Sequence, residues 1–192
     1  MRTTAARTLV MPLFAVALLV VVPLTAQPGV PAQPGGPVED SIKAAFLYNF
    51  AKYVEWPDAA FPGGEFRVCV AADPVFLKSV DDIIAGETIA GRAVTRQTPA
   101  TPDEARACNI LFISRGIGNR VDQLLTAVKG APVLTVGDSI DFQKRGGIVT
   151  FVNDGDRVRF DVNVVGAQME GLTISSRLLR VARRVTLPGA ER

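Results

Sequence analysis

The stretch Cys108-Asn109-Ile110-Leu111-Phe112-Ile113-Ser114 decides the fold, because it contains four consecutive apolar residues with no polar alternation. Such a run predicts a strand that is buried on both faces of a sheet. From about residue 118 to residue 128 the apolar residues recur at helical spacing, and residues 132–136 form a second apolar run. A strand, a helix and a strand in this order indicate a crossover unit with parallel strands.

The same alternation extends toward the N-terminus. A helix is predicted from Ile42 to the segment before Pro57. Its apolar stripe is formed by Ile42, Ala45, Phe46, Phe50 and Tyr53 and is widened by Leu47, Ala51 and Val54. Strands at residues 66–71 and 93–96 flank a helix at residues 73–84. We therefore predict an α/β protein with a three-layer, mostly parallel sheet of the flavodoxin or Rossmann type.

Near the C-terminus the hydrophobic period changes. Residues 148–152 and 157–162 flank the turn Asn153-Asp154-Gly155-Asp156, and apolar and polar residues alternate in the second segment. This pattern predicts a C-terminal β-hairpin with one solvated face. Beyond it, helical spacing of apolar residues predicts a long C-terminal helix over residues 163–184.

The N-terminus has the pattern of a secretion signal over residues 1–26. Arg2 and Arg7 give a positive start, and the apolar stretch that follows is interrupted by prolines and too short for a comfortable membrane span. Residues 27–39 contain four prolines and three glycines and predict a flexible tether. We expect one folded domain over residues 40–188, located outside the cytoplasmic membrane, with no membrane span after cleavage. An uncleaved N-terminal anchor is the alternative.

Composition argues against several classes of function. The chain has no histidine, which removes Ser-His-Asp and Cys-His catalysis and most zinc sites. Removal of Arg2 and Arg7 with the signal leaves 19 basic and 19 acidic residues, whereas nucleic-acid-binding proteins normally have a basic excess. We therefore expect no catalytic site, metal, cofactor or nucleic-acid partner.

Two cysteines, Cys69 and Cys108, remain in the chain. An even number of cysteines in an exported protein favours a disulfide, because the compartment is oxidising. Two buried free thiols are the alternative.

The turn after the central strand resembles part of a dinucleotide-binding loop. Gly116 and Gly118 precede a predicted helix, and Asp138 follows about twenty residues later, but Val121 occupies the position of the third glycine. An ordinary strand-to-helix turn is the favoured interpretation. Gly116, Gly118 and Asp138 are kept as weak ligand candidates, because a helix N-terminus can hold a small anion or polar group.

Two groups of residues are candidates for a partner surface. Arg177, Arg180 and Arg184 line one face of the predicted last helix, although cations near a helix C-terminus are also favoured by the helix dipole alone. The second group is aromatic: Tyr48 lies off the main stripe of the first helix, and Trp56 and Phe61 lie beyond its end.

Four segments, in order, resemble the YfiR family. The first is Ile42-Lys43-Ala44-Ala45-Phe46-Leu47-Tyr48-Asn49-Phe50 with Lys52-Tyr53-Val54-Glu55-Trp56-Pro57, and the second is the central strand that begins at Cys108. The third is Val133-Leu134-Thr135-Val136-Gly137-Asp138 with Phe142 and Gly146-Gly147-Ile148. The fourth is Arg159-Phe160-Asp161-Val162-Asn163 with Gly171-Leu172-Thr173-Ile174-Ser175-Ser176-Arg177-Leu178-Leu179. The resemblance covers residues 41–185.

This resemblance implies a periplasmic, often dimeric regulator that represses an inner-membrane diguanylate cyclase through the periplasmic domain of the cyclase. A small-molecule-binding module that serves an envelope receptor or transporter is the alternative. The cysteine pair of the family corresponds to Cys69 and Cys108, which the resemblance implies are bonded to each other. Some members carry a second pair in the region of residues 142–151, and this chain has no cysteine there.

Overall fold

The computed structural model describes residues 36–189. Its helices are α1 (Pro37–Tyr53), α2 (Pro74–Ile84), α3 (Pro102–Arg106), α4 (Arg120–Val128), α5 (Val164–Met169) and α6 (Ser176–Val181). Its strands are β1 (Val54–Glu55), β2 (Phe66–Ala71), β3 (Thr88–Ile89), β4 (Arg92–Gln97), β5 (Ile110–Ile113), β6 (Leu134–Gly137), β7 (Val149–Asp154), β8 (Arg157–Asn163), β9 (Thr173–Ile174) and β10 (Arg184–Thr186). Within residues 36–189, no helix is both long enough and apolar enough to cross a membrane.

Eight strands form the central sheet, in the order β10-β8-β7-β6-β5-β2-β4-β3. The five strands β4, β2, β5, β6 and β7 are parallel to one another, which is the flavodoxin-like arrangement with the first strand between the second and the third. Strand β8 returns antiparallel to β7 and closes the predicted hairpin, and β3 is antiparallel to β4. The prediction of a mostly parallel α/β sheet with a hairpin is confirmed.

Helices cover both faces of this sheet. Successive residues of a strand point to opposite faces, so each strand supplies apolar side chains to both layers of helices. Val68 and Val70 of β2 pack in the core cluster that also contains buried residues of α1 and α2. Cys69 and Ala71 point the other way, into a second cluster with buried residues of α3 and α4. Two separate apolar clusters on either side of one sheet make the three layers that the sequence predicted.

The first helix begins earlier than predicted and turns a different face to the core. It begins at Pro37, so the last three residues of the predicted tether are helical; the rest of the tether that precedes Gly36 lies outside the described residues. Its buried residues are Lys43, Ala44, Leu47, Phe50 and Ala51, while Ile42 and Tyr53 are 40% and 37% exposed. The predicted stripe is therefore wrong at Ile42 and Tyr53, whereas its members Leu47, Phe50, Ala51 and Val54 are buried. The helical spacing that faces the core starts at Lys43 and Ala44.

The long C-terminal helix predicted over residues 163–184 is also wrong. Helix α5 ends at Met169, and Gly171 then adopts a left-handed backbone conformation with φ of 72°, a common way to terminate a helix. The chain continues as β9, which pairs with β1, then as the short helix α6, and finally as β10 at the edge of the main sheet. Tertiary pairing with β1 and β8 overrides the local helical spacing.

A disulfide joins Cys69 and Cys108, whose Cα atoms are 5.8 Å apart. Cys69 belongs to β2, Cys108 lies just before β5, and these two strands are neighbours in the sheet. Both residues are buried in the cluster under α3 and α4. The bridge therefore ties the centre of the sheet to the segment that enters its neighbouring strand.

Candidate functional site

The chain changes direction within the sheet between β2 and β5. Strand β2 leads through α2 to β4 on one side, whereas β5 lies on the other side of β2 and leads to α4 on the opposite face. In open α/β sheets the crevice at such a point, outside the carboxyl ends of the strands, is where ligands bind. A cavity of about 200 Å³ lies there, lined by residues that include Asp73, Ser114, Arg115, Gly116 and Asp138.

A buried lysine connects α1 to this crevice. Lys43 is 4% exposed, and its Nζ lies 2.7 Å from Oε1 of Glu39 and 3.0 Å from Oδ2 of Asp138. The other oxygen of Asp138 accepts a hydrogen bond of 2.7 Å from the backbone N–H of Arg115. Asp138 therefore holds together the start of α1 and the loops that follow β5 and β6.

The charges around Lys43 keep it protonated. Burial lowers the pKa of Lys43, but its hydrogen bonds and charge interactions with Glu39 and Asp138 outweigh that effect, and the net result is a raised pKa. A lysine that acts as a nucleophile or a base needs a lowered pKa. The geometry therefore gives Lys43 the role of a fixed cation that organises the site.

Asp40 is a carboxyl group whose charge is disfavoured here. Its pKa is raised by partial burial and by the neighbouring carboxylate of Asp73, an effect that Lys43 partly opposes. Asp40 and Asp73 both line the small cavity beside Asp138. Among residues 36–189, no group of three or more acidic, cysteine or histidine side chains is placed to hold a metal ion.

The glycine-rich turn does not form a dinucleotide loop. Residues Arg115–Ile117 make one 3-10 turn, Gly118 has φ of 59°, and α4 begins only at Arg120. Gly116 lines the small cavity, whereas Gly118 does not. Val121, at the third glycine position, is buried in the core under α4. Of the three ligand candidates, Gly116 and Asp138 come together and Gly118 stays apart.

A larger cleft of about 630 Å³ opens where β6 ends before β7 does. Strand β6 pairs with β7 only as far as Gly137 and Thr150, but β7 continues to Asp154. The segment after β6 turns away at Asp138, and the space beside the rest of β7 becomes the cleft. Its lining residues come from α1, from the loops after β5 and β6, from β7 and β8, and from β10 with the residue before it, as follows: Glu39, Lys43, Arg115, Asp138, Ile140, Gln143, Lys144, Thr150, Phe151, Val152, Asn153, Asp161, Arg183 and Arg184.

A clamped aromatic ring holds the loop between β6 and β7 in place. Phe142 is completely buried, and its ring lies between Gly137 and Gly147. A Cβ atom added at Gly137 would lie 2.4 Å from the ring, and one added at Gly147 would lie 2.1 Å from it. Only glycine fits on either side, so this packing fixes the loop that carries Asp138, Gln143 and Lys144 to the cleft.

The aromatic partner candidates are partly occupied within the protein. The ring of Trp56 packs edge-on against Phe66 with centroids 5.1 Å apart, and its Nε1–H donates to the backbone carbonyl of Asn109. Phe61 also packs on Phe66, and the guanidinium of Arg92 lies 4.2 Å from its ring centroid. Trp56 and Phe61 are half-buried and therefore have a structural role at the amino ends of β2 and β5.

Tyr48 lies further along α1 and is also half-buried. Its hydroxyl donates to the carboxylate of Glu87, and Nζ of Lys52 lies 3.9 Å from its ring centroid. The residues around it, Glu87 and Lys52, are exposed. Tyr48 is therefore the aromatic candidate with charged, accessible neighbours on one patch of surface.

The predicted arginine stripe is split between two elements. Arg177 and Arg180 are exposed on α6, whereas Arg184 begins β10 and lines the large cleft. Helix α6 ends at Val181, so the spacing that placed the three arginines on one face does not apply. Arg184 belongs to a different surface from the other two.

Asn109 is an organising residue that the sequence reasoning did not single out. It is fully buried; its Oδ1 accepts from the backbone N–H of Arg67 at 2.8 Å, and its Nδ2 donates to the backbone carbonyl of Ala60 at 2.9 Å. It thereby joins β2, β5 and the loop before β2. The available signal was a polar amide at the very start of an otherwise apolar strand, which requires internal partners when buried.

Comparison with known proteins gives a family match and structural neighbours at low sequence identity. The sequence model of the YfiR/HmsC-like family matches residues 40–183. The chain is similar in structure to a conserved domain protein from Vibrio cholerae O1 biovar El Tor, with a TM-score of 0.54 and 11% identity. It is also similar to an ABC domain from Streptococcus pneumoniae in complex with L-Trp, with a TM-score of 0.52 and 14% identity. Each match covers 74% of this chain and 60% of the other, and at such identities the likeness shows the fold alone.

Proposed function

Because the chain belongs to the YfiR/HmsC-like family, we propose that it is a periplasmic regulator that represses an inner-membrane diguanylate cyclase through the periplasmic domain of the cyclase. Repression would lower cyclic di-GMP signalling and biofilm formation, and the protein would act by binding and not by catalysis. The family match carries the proposal, since it spans residues 40–183 and therefore nearly the whole described domain.

The surface around α6 and the end of α1 is the best candidate for contact with the partner. Strand β1 follows α1 and pairs with β9, which precedes α6, so the two helices are held side by side. Arg177 and Arg180 are exposed on α6, and Tyr48 lies on α1. Aromatic and arginine side chains are the types that contribute most to protein interfaces. Trp56 and Phe61 also belong to the proposed surface, but both are half-buried and therefore expose less area to a partner.

The proposal is tested by capture of the partner from solubilised inner membranes. The tagged gene product is isolated from the envelope, incubated with membrane extract, and its bound proteins are identified by mass spectrometry. We expect a diguanylate cyclase to be captured by the wild type and by Lys129→Glu, an exposed position beside α4. Arg180→Glu should reduce the captured amount at least ten-fold, because reversal of an interface charge leaves like charges opposed.

The redox state of the bridge is the second variable in the same experiment. Loss of capture after reduction would support a repressor whose fold or affinity depends on Cys69–Cys108. Absence of any cyclase among proteins captured in the oxidised state would contradict the regulatory proposal. Equal capture by Arg180→Glu and Lys129→Glu would keep the regulatory role but remove the α6 surface from it.

The alternative function, a small-molecule-binding module for an envelope receptor or transporter, is favoured by one observation. The large cleft lies at the carboxyl ends of the strands and has a volume within the range of ligand pockets. Under this alternative a ligand raises the melting temperature of the protein by mass action, and no cyclase is captured.

A further inference from the structure

The large cleft has an excess of positive charge that the protein does not neutralise. Five cations and three carboxylates line it. Lys43 is paired with Glu39 and Asp138, and Arg183 makes two hydrogen bonds to the carboxylate of Asp161, at 2.9 and 2.6 Å. These pairs account for all three carboxylates.

Three cations of the cleft are left over. Arg115, Lys144 and Arg184 form no ion pair with any residue in the range 36–189, and all three are exposed. They come from the loop after β5, the loop after β6 and strand β10, so they approach the same space from three directions. Cations that converge on a concave site attract and hold an anion, whereas dispersed surface cations do not.

A buried hydroxyl group gives independent evidence of a ligand. Thr150 lines the cleft and is 4% exposed, yet its Oγ1 has no hydrogen-bond partner among the described residues. A buried polar atom without a partner is costly and rare in native proteins. A ligand oxygen in the cleft would satisfy it after rotation of the side chain, because the hydroxyl oxygen itself is shielded from solvent.

The rest of the lining is partly apolar, and Gln143 and Asn153 are its neutral polar members. Phe151 and Val152 of β7 line the cleft beside Thr150, and the side chain of Ile140 is fully exposed to solvent at the loop after β6. The volume of about 630 Å³ is far larger than a free phosphate needs. The cleft therefore matches a molecule that carries its negative charges on an apolar body.

We propose that this cleft binds a small organic dianion with an apolar body, held by Arg115, Lys144 and Arg184 and by the hydroxyl of Thr150. The charged groups of the ligand are carboxylates or a phosphate ester, since the arginine side chains bind either in the same geometry. The inference goes beyond repression of a cyclase and names the ligand class for the binding-module alternative. It rests on the cleft alone, so it stands or falls separately from capture of a membrane partner.

Calorimetric titration of the full gene product tests the proposal with four probes. Phthalate represents a dicarboxylate, phenyl phosphate represents a phosphate ester, benzamide is the neutral control, and inorganic phosphate tests charge without an apolar body. We expect phthalate or phenyl phosphate to bind with a dissociation constant of about 1 mM or lower. Benzamide and inorganic phosphate should bind at least ten-fold more weakly. The stronger of the two dianions identifies the source of the charge.

Matched variants assign the binding to the cleft. Arg184→Gln should weaken binding of the dianion about ten-fold, and Arg115→Gln and Thr150→Val should also weaken it, because each removes a hydrogen-bond donor. Arg106→Gln, an exposed arginine outside the cleft, should leave it unchanged. Thermal melting shows that each variant is folded. The proposal is overturned if neither dianion binds, if benzamide binds equally well, or if Arg184→Gln and Arg106→Gln behave alike.

Discussion

At the scale of single residues, Lys43 carries the most structural information. It is a cation buried between two carboxylates, with 5% of its side chain exposed against 13% for Glu39 and 10% for Asp138. The sequence did not indicate that Lys43 is buried, because one lysine within an apolar helix face is usually assigned to solvent. A buried charge of this kind is costly to leave unpaired.

Replacement of Lys43 by methionine is expected to lower the free energy of unfolding by about 3 kcal/mol, because Glu39 and Asp138 lose their partner in a poorly solvated place. Urea denaturation followed by circular dichroism measures the change. The matched control is Lys78→Met: Lys78 also forms an i, i+4 pair, with Asp82, but its side chain is 75% exposed. The control should lose less than about 1 kcal/mol.

The contribution of Lys43 also has a defined pH dependence. Because the folded state raises the pKa of Lys43, its stabilisation is fully present below the ordinary lysine value of 10.5 and is lost as the pH rises through the higher folded value. Wild type should therefore lose more stability than Lys43→Met between pH 10 and 12. Parallel pH profiles for the two proteins would show that folding does not raise the pKa of Lys43.

At the scale of elements, the loop between β6 and β7 depends on the packing of Phe142 between two glycines. Gly147→Ala is expected to destabilise the protein by about 1–3 kcal/mol, because the new methyl group overlaps the ring and the core cannot expand to accept it. Gly116→Ala is the control, since its added Cβ would meet its nearest neighbour at an ordinary 3.5 Å. Thermal or urea unfolding gives both values.

A second substitution separates the steric cause from a backbone effect. Phe142→Leu makes room beside residue 147, so the double variant should lose less stability than the sum of the two single variants. Simple additivity of the two losses would mean that Gly147 is required for its backbone and not for its missing side chain.

Elements with a strong local pattern could be predicted from the sequence, and elements made by distant pairing could not. Strand β2 was predicted with its observed bounds, and β5, β6 and the hairpin were predicted within about two residues, because continuous apolar runs and a polar turn encode them locally. Strands β9 and β10 have two and three residues and exist only because β1 and β8 are available beside them. Their segments keep helical spacing, so a local interpretation favours a helix.

The residues of the candidate site also divide into those that the sequence could predict and those that it could not. Asp138 and Gly116 could be predicted as ligand candidates, because loops after parallel strands meet at one edge of the sheet. Lys43, Thr150 and the unpaired state of Arg184 could not, because they depend on how far β7 extends beyond β6 and on where β10 docks. Prediction of Cys69–Cys108 needed only an even number of cysteines and the sequence pattern of an export signal.

At the scale of the whole molecule, the disulfide closes a loop of 39 residues through the centre of the sheet. In the chain-entropy model such a loop stabilises by about 4 kcal/mol. Replacement of both Cys69 and Cys108 by alanine is therefore expected to lower the melting temperature by about 8–16 °C, as measured by calorimetry without reductant. Each single variant lacks the bridge but keeps one free thiol, so it is a control for the effect of that thiol.

The burial of the bridge makes it possible to distinguish a structural disulfide from a redox sensor. Cys69 is 0% exposed and Cys108 is 3% exposed, so a reductant reaches the sulfur atoms only when the α3 and α4 layer opens. The disulfide of the native wild type should therefore stay intact at a concentration of reductant that rapidly reduces it in denaturant. Immediate reduction of the native protein would instead support a role as a redox sensor.

The two edges of the sheet limit how this protein can associate with copies of itself. Strand β3 has two residues and β10 has three, so each outermost strand presents only a few backbone groups to an approaching chain. Short terminal strands are one way in which proteins prevent uncontrolled growth of a sheet from molecule to molecule. Growth from sheet to sheet would accordingly have to begin at the part of β4 after Ala93 or the part of β8 before Asp161, where no outer strand of residues 36–189 covers the backbone.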